Sequence, residues 1–157
     1  MSSTARQPLD VSAGLVFRAG RLLITQRHPG SHLGGLWEFP GGKRQPNESA
    51  EDCLVRELRE ELGIEVEVGE LLETIEHAYA EKTVRLKFFR CEWKRHEPRK
   101  LDCHDFAWIS AGQLADYKFP AADARLLERL SSTPELWESG LGGHGITRRR
   151  GDAERET

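Results

Sequence analysis

The sequence has few cysteines, no long apolar run and no excess of basic charge, and each shortage removes a class of function. The three cysteines, Cys53, Cys91 and Cys103, make no CxxC pair and no repeated spacing. A disulfide framework and a zinc ribbon are thereby excluded, and reduced thiols are expected. No stretch approaches the roughly 20 apolar residues that span a bilayer, so no membrane partner is expected. The opening MSSTARQPLD has no apolar core of the kind a secretory leader carries, and a cytoplasmic location is expected. Lys and Arg number 23 against 26 Asp and Glu, for a formal net charge of -3. That balance lacks the basic face that duplex nucleic acid requires, while a small charged ligand remains open. No internal repeat and no second domain are visible in the 157 residues, a length that suits one domain with a real core.

What is present reads as strands, helix, strands, helix. The stretch DVSAGLVFRAGRLLITQR, residues 10–27, is two β-rich runs broken at Ala19-Gly20 in the manner of a hairpin. HPGSHLGGLWEFPGGK is glycine- and proline-rich and reads as a loop with a short strand over residues 37–39. From Ser49 the period turns helical, with Ser49 and Asp52 spaced as a capping box and Gly63 placed to stop the helix. Strands are expected over 64–68, over a run ending near Tyr79, and over 83–93, with a short strand at FAWIS and a closing helix in PAADARLLERLSS. The order predicts an α+β fold, a mixed sheet packed between helices, rather than a regular βαβ repeat. The domain is expected to end at 132, followed by a mobile, charged, glycine-rich tail over 133–157 whose Arg148-Arg149-Arg150 reads as solvated charge.

The predicted helix is crowded with acid. Spaced about 100° apart around its axis, Glu57, Glu60, Glu61 and Cys53 share one arc, and Leu54, Val55, Leu58 and Leu62 share the next. Carboxylates beside a buried stripe are partly desolvated, which raises their pKa unless a cation compensates, and a hard divalent ion with oxygen ligands compensates best. Gly41 and Gly42 let the backbone approach that face and offer a carbonyl as a further ligand. Arg56 can orient a neighbouring carboxylate bidentately. With Lys43 and Arg27 nearby, these are parts suited to hydrolysis at phosphorus, in which a carboxylate activates the attacking water. Spacing alone leaves a second reading open, a solvated acidic face.

Gly42, Glu48 and the run Arg56-Glu57-Leu58-Arg59-Glu60-Glu61-Leu62-Gly63-Ile64 match the box of the Nudix hydrolases at every specified position. The chain resembles that superfamily, and GGLWEFPGGK and LADYKFPAADARLLERL resemble its MutT-like branch, so the likeness covers residues 10–130. The resemblance implies the Nudix fold, a mixed sheet sandwiched between helices (α/β/α), and magnesium as cofactor, with manganese as a substitute. It places the metal on the Gly41 carbonyl, Glu57, Glu60 and Glu61, with Glu48 in support. It makes Glu57 the candidate general base beside Arg56 and Glu60.

The branch also uses a glutamate six residues before a late tryptophan. Counting back from Trp108 reaches Asp102, one methylene shorter, to which the resemblance gives a metal or base role. Arg27 and Lys43 fall at phosphate-facing positions, His32 near the nucleotide, and Lys82 at a basic position near the substrate. Base recognition is implied at Phe39 and in Phe119 to Asp123, with Trp37 and Phe119 as stacking candidates. Asp123 stands where the best-known member has asparagine. An ionised aspartate accepts hydrogen bonds without donating, so that position bears on the choice of base.

The implied activity is hydrolysis of a nucleoside triphosphate to monophosphate and pyrophosphate, with 8-oxo-dGTP favoured and CTP-type nucleotides next. A nucleotide sugar or RNA cap is a further candidate substrate. The non-enzymatic alternative is a lesion-reading module like the C-terminal domain of adenine glycosylases. The expected partner is a small nucleotide, with neither duplex nucleic acid nor membrane, and the expected assembly is a monomer or homodimer.

Overall fold

The structure is a computed structural model that describes residues 7–138. Its centre is strand β1 (Leu9–Arg18), whose run SAGLVF is buried. Such a continuous apolar run belongs to a strand covered on both faces. β1 turns into β2 (Arg21–Gln26) through Ala19 and Gly20, whose φ values of 52° and 78° give the twist of a tight hairpin. β3 (Trp37–Glu38) pairs with β2, and β4 (Gly41–Lys43) folds back on β1. β5 (Glu65–Ala78) and β6 (Thr83–Arg95) form a long antiparallel pair, and β6 runs parallel to β1 from Leu9↔Val84 to Phe17↔Glu92. β7 (Asp105–Ile109) pairs with the far side of β2. The seven strands make one mixed sheet ordered β3-β2-β1-β6-β5, with β4 on β1 and β7 on β2.

Alternation along the strands supplies two cores. Leu15, Phe17, Leu22, Ile24 and Phe88 face one side, where Leu126 and Leu130 of helix α2 (Ala124–Ser132) cover them. Val16, Leu23, Phe89 and Cys91 face the other, against Leu54, Leu58 and Leu62 of helix α1 (Ala50–Leu62). The expected α+β sandwich is the observed architecture. α1 starts where its cap predicts: the Ser49 hydroxyl accepts from the Asp52 N–H at 3.0 Å, and Gly63 closes the other end in the left-handed region. Ser49→Ala is expected to cost about 1 kcal/mol of stability, read as a lowered midpoint in urea unfolding.

Two expectations need correction. The runs predicted as separate strands, 64–68 and one ending near Tyr79, are a single strand, β5, kept continuous by bulges between Val68 and Glu73. β5 lies at the sheet edge and carries Glu65, Glu67, Glu70, Glu73 and Glu76. The packed chain also continues beyond 132. A 3-10 turn, Pro134–Trp137, buries Trp137 edge-on against Phe17, and its indole N–H donates to the Leu130 carbonyl at 3.0 Å. Arg90 donates to the carbonyls of Leu136 and Glu138 and secures the same segment. The tail expected beyond it, with Arg148 to Arg150, lies outside the described residues. Among those residues, no helix is long and apolar enough to cross a membrane.

Candidate active site

α1, β4 and the loop before β7 enclose a cavity of about 230 Å³ lined by Glu57, Glu60, Glu61, Glu38, Gly41 and Asp102, among others. Glu57, Glu60 and Glu61 reach it together because spacings of three and four bring helical side chains to one face. Arg56 is the organiser. Its guanidinium donates to both Glu48 oxygens at 2.7 and 3.1 Å, to Glu57 at 3.0 Å, to Glu60 at 3.3 Å and to the Lys43 carbonyl at 3.1 Å. That contact, with the Gln45 N–H, holds the Glu48 carboxyl down at about 2.

The acids nearer the core behave oppositely. Burial pushes the Glu57 carboxyl up in spite of Arg56. Glu61 is driven to about 8 by burial and then by the charge of Glu38, against one opposing hydrogen bond from the Gly41 N–H at 3.3 Å. An oxygen-only donor set whose buried member is short of positive charge fits a hard divalent cation. Its surroundings fit as well, because a Cβ at Gly42 would run into the Glu57 carboxylate, and one at Gly41 into the Ser12 carbonyl. Gly42→Ala is expected to displace the Glu57 carboxylate and lower kcat about 10²-fold, as a misplacement of about 1 Å does. Initial rates measured beside a melting curve check it. Among the described residues no three His, Cys, Asp or Glu side chains converge on one ligating point as they stand, and Arg56 engages an oxygen of Glu57 and one of Glu60.

A second cavity, about 280 Å³, adjoins the first and shares Arg27, Glu38 and Gly41 with it. Its wall includes Phe39, Phe88, Val84 and Leu86, with Arg27, His32, Glu38, Lys43, Lys82 and Asp123 among its polar groups. An apolar slot with a few converging polar groups is the form of a small-ligand site. Arg27 is fixed by donating to the His32 carbonyl at 2.6 Å and to Glu38 at 3.0 Å. Asp123, only 6% exposed, has no side-chain hydrogen bond among the described residues and does not cap α2. Burial, and then the charge of Glu38, drives its carboxyl up to about 7.

Most of the sequence-derived candidates thus gather around two adjoining cavities, with three differences. Glu48 does not line the acidic cavity, and both its oxygens are engaged by Arg56. Phe119 stacks on Phe39 with centroids 5.2 Å apart and does not line the second cavity, and Trp37 packs edge-on against Tyr117 instead. Asp102 lines the acidic cavity, but its carboxylate is largely exposed and lies 3.5 Å from His28 Nε2.

Sequence reasoning missed Glu38 and Tyr79. Glu38 had a signal, an acid between two aromatics in WEF, which a half-buried strand rarely carries without a purpose. Tyr79 had none, because its contact with His32, at 5.3 Å between ring centres, joins distant segments.

The sequence profile of the NUDIX domain matches residues 12–129. The chain belongs to the NUDIX family. Over 97 residues it is 41% identical to an 8-oxo-dGTP diphosphatase of Proteus vulgaris, covering 60% of this chain and 87% of that protein. It is 38% identical over 125 residues to a CTP pyrophosphohydrolase of Escherichia coli, covering 76% of this chain and 89% of that one. Its structure resembles a MutT protein from Methanosarcina mazei with a TM-score of 0.72 at 25% identity, covering 81% and 96% of the two chains. This NUDIX protein is a MutT-like hydrolase of phosphoric anhydride bonds, in a family that generally uses a divalent metal.

Proposed function

We propose that this NUDIX enzyme hydrolyses nucleoside triphosphates to the monophosphate and pyrophosphate, with Mg²⁺ as cofactor and Mn²⁺ as substitute, and that 8-oxo-dGTP is the preferred substrate. The observation that carries this reading is the adjoining pair of cavities, one acidic and one apolar with cations at its rim. A base enters the apolar slot beside Phe39 and Asp123. Arg27, Lys43 and Lys82 then hold the phosphate chain and lead it to the carboxylates.

Glu57, Glu60, Glu61 and the Gly41 carbonyl would hold the cation, which neutralises phosphate charge when bound. Glu57 takes a proton from water as the water oxygen forms its bond to phosphorus. The anhydride bond joining the α and β phosphates breaks, and the electron pair stays on the departing phosphate oxygen. Arg56 favours the charged form of Glu57 and aims it, while Asp102 adds negative charge at the rim.

The similarity to a CTP pyrophosphohydrolase supports a second reading of the same chemistry with pyrimidine nucleotides, because a buried acid at 123 suits an amine-bearing base edge. The deciding experiment is a product-resolved screen of oxidised and ordinary nucleoside triphosphates and of CDP- and ADP-linked compounds. Pyrophosphate with monophosphate as joint products, fastest from 8-oxo-dGTP, is the expected result. A highest rate on CTP or dCTP selects the second reading, and a dominant rate on a sugar nucleotide overturns both. The folded domain, approximately residues 7–138, is proposed as the whole catalytic unit, active as a monomer or homodimer.

A further inference from the structure

At the rim of the acidic cavity stand two imidazoles that the hydrolytic chemistry does not use. His28 follows β2, and His104 lies just before β7. Their rings are 6.3 Å apart between centres at 72° to each other, and His28 Nε2 lies 3.5 Å from the Asp102 carboxylate. The main chain beneath them is pinned. The His104 N–H donates to the Gln26 carbonyl at 2.9 Å, and the Asp102 N–H donates to the Glu61 carbonyl at 3.1 Å. Between them Cys103 is buried in the core on the α1 side, while Asp102 and His104 are exposed. One short segment therefore offers a carboxylate and an imidazole toward the end of β2, where a second imidazole waits.

We propose that His28, Asp102 and His104 bind a transition-metal ion such as Zn²⁺ at the rim of the acidic cavity, on a donor set other than the oxygen-only group of Glu57, Glu60 and Glu61. Two imidazoles and one carboxylate, with a position left for water, are a donor set for zinc and its neighbours, whereas magnesium prefers oxygen alone. Metal–nitrogen bonds of about 2.0–2.1 Å at a tetrahedral angle put two imidazole centres about 5 Å apart. The observed 6.3 Å is closed by small rotations about the side-chain bonds of exposed histidines. The three groups do not yet converge on one point, so the ion itself draws them together, and binding depends on all three.

Occupation has a consequence that rests on the hydrolase reading. The ion engages the Asp102 carboxylate and sets a double positive charge beside Glu61, whose backbone is bonded to that of Asp102. Zinc therefore inhibits turnover that is already saturated with magnesium.

The test titrates Co²⁺ into the full, metal-free chain with Mg²⁺ in large excess, and follows the visible absorbance of nitrogen-coordinated cobalt. One saturable site per chain is expected, its Kd weakened at least tenfold in His28→Ala and in His104→Ala. Both side chains are exposed, so folding survives, and circular dichroism confirms it. Zinc inhibition of pyrophosphate release should weaken in parallel in His104→Ala while its rate without zinc is unchanged. The proposal is overturned if cobalt shows no nitrogen-coordinated spectrum, or if both histidine variants bind it as tightly as the parent chain. A cobalt spectrum that depends on both histidines, in a protein that hydrolyses no nucleotide, would leave the metal site standing and remove the hydrolase reading alone.

Discussion

Replacing Glu57 by glutamine is expected to lower kcat by about 10²–10⁴-fold, the range typical of a lost general base, with the melting temperature held or slightly raised. Glutamine keeps the length of the side chain, and its carbonyl oxygen can still accept from Arg56, which now lies 3.0 Å from a Glu57 oxygen. What disappears is the charge. Burial already disfavours that charge, and Glu60 and Glu48 oppose it further, so stability does not suffer from its removal. Because Glu57 does not line the nucleotide slot, KM should move much less than kcat. Full activity in this variant, measured as magnesium-dependent pyrophosphate release, would show that another group takes the proton.

Asp123→Asn is expected to stabilise the protein at pH 8 and to change its stability little near pH 4. Burial lifts the Asp123 carboxyl from an ordinary value of 3.8 to about 7. Between those values the folded chain keeps a proton that the unfolded chain has released. Stability therefore falls as the pH rises through that window, by up to about 4 kcal/mol if the whole shift is expressed. Below the window both states are protonated and the penalty vanishes; above it the penalty is complete. Asparagine carries no such penalty, so the gain at pH 8 should appear as a rise in Tm on the order of 10 °C. Equal Tm differences between variant and parent at pH 4 and pH 8 would show that Asp123 does not titrate in this way.

The same substitution bears on substrate choice. A neutral carboxyl both donates and accepts, as asparagine does, whereas the ionised form accepts alone. The parent enzyme's ranking of bases should therefore change between pH 6 and pH 8, and that of Asp123→Asn should not. Competition between two triphosphates in one vessel, at each pH, reads this directly.

The helix was legible in the sequence because its logic is local. Caps, the leucine stripe and the acidic face all repeat within a few turns, and Ser49, Gly63 and Glu57 stand where periodicity puts them. The parallel pairing of β1 with β6 was not legible, since nothing near Leu9 indicates that Val84 is its neighbour. For the same reason the sequence alone did not bring Tyr79 to His32, or His28 to Asp102. The burial of Asp123 was not legible in the sequence, because an acid at a helix start normally faces solvent. Here the 3-10 turn before α2 directs it inward. Trp137 was overlooked because a single turn after Thr-Pro carries no period to read, and only its contact with Phe17 discloses its role.

The edge strand β5 bears on how the molecules behave in a crowded solution. An exposed edge is a template on which further strands can add. Antiparallel pairing of two such edges would set Glu65, Glu67, Glu70, Glu73 and Glu76 of one copy against the same residues of the other. Among the described residues, Glu65, Glu67, Glu73 and Glu76 have basic partners, at Arg59, Lys94, Arg125 with Arg129, and Arg85, and those partners belong to the same molecule. A row of charged side chains along an edge hinders the addition of further strands, so this edge is guarded against fibre-like growth.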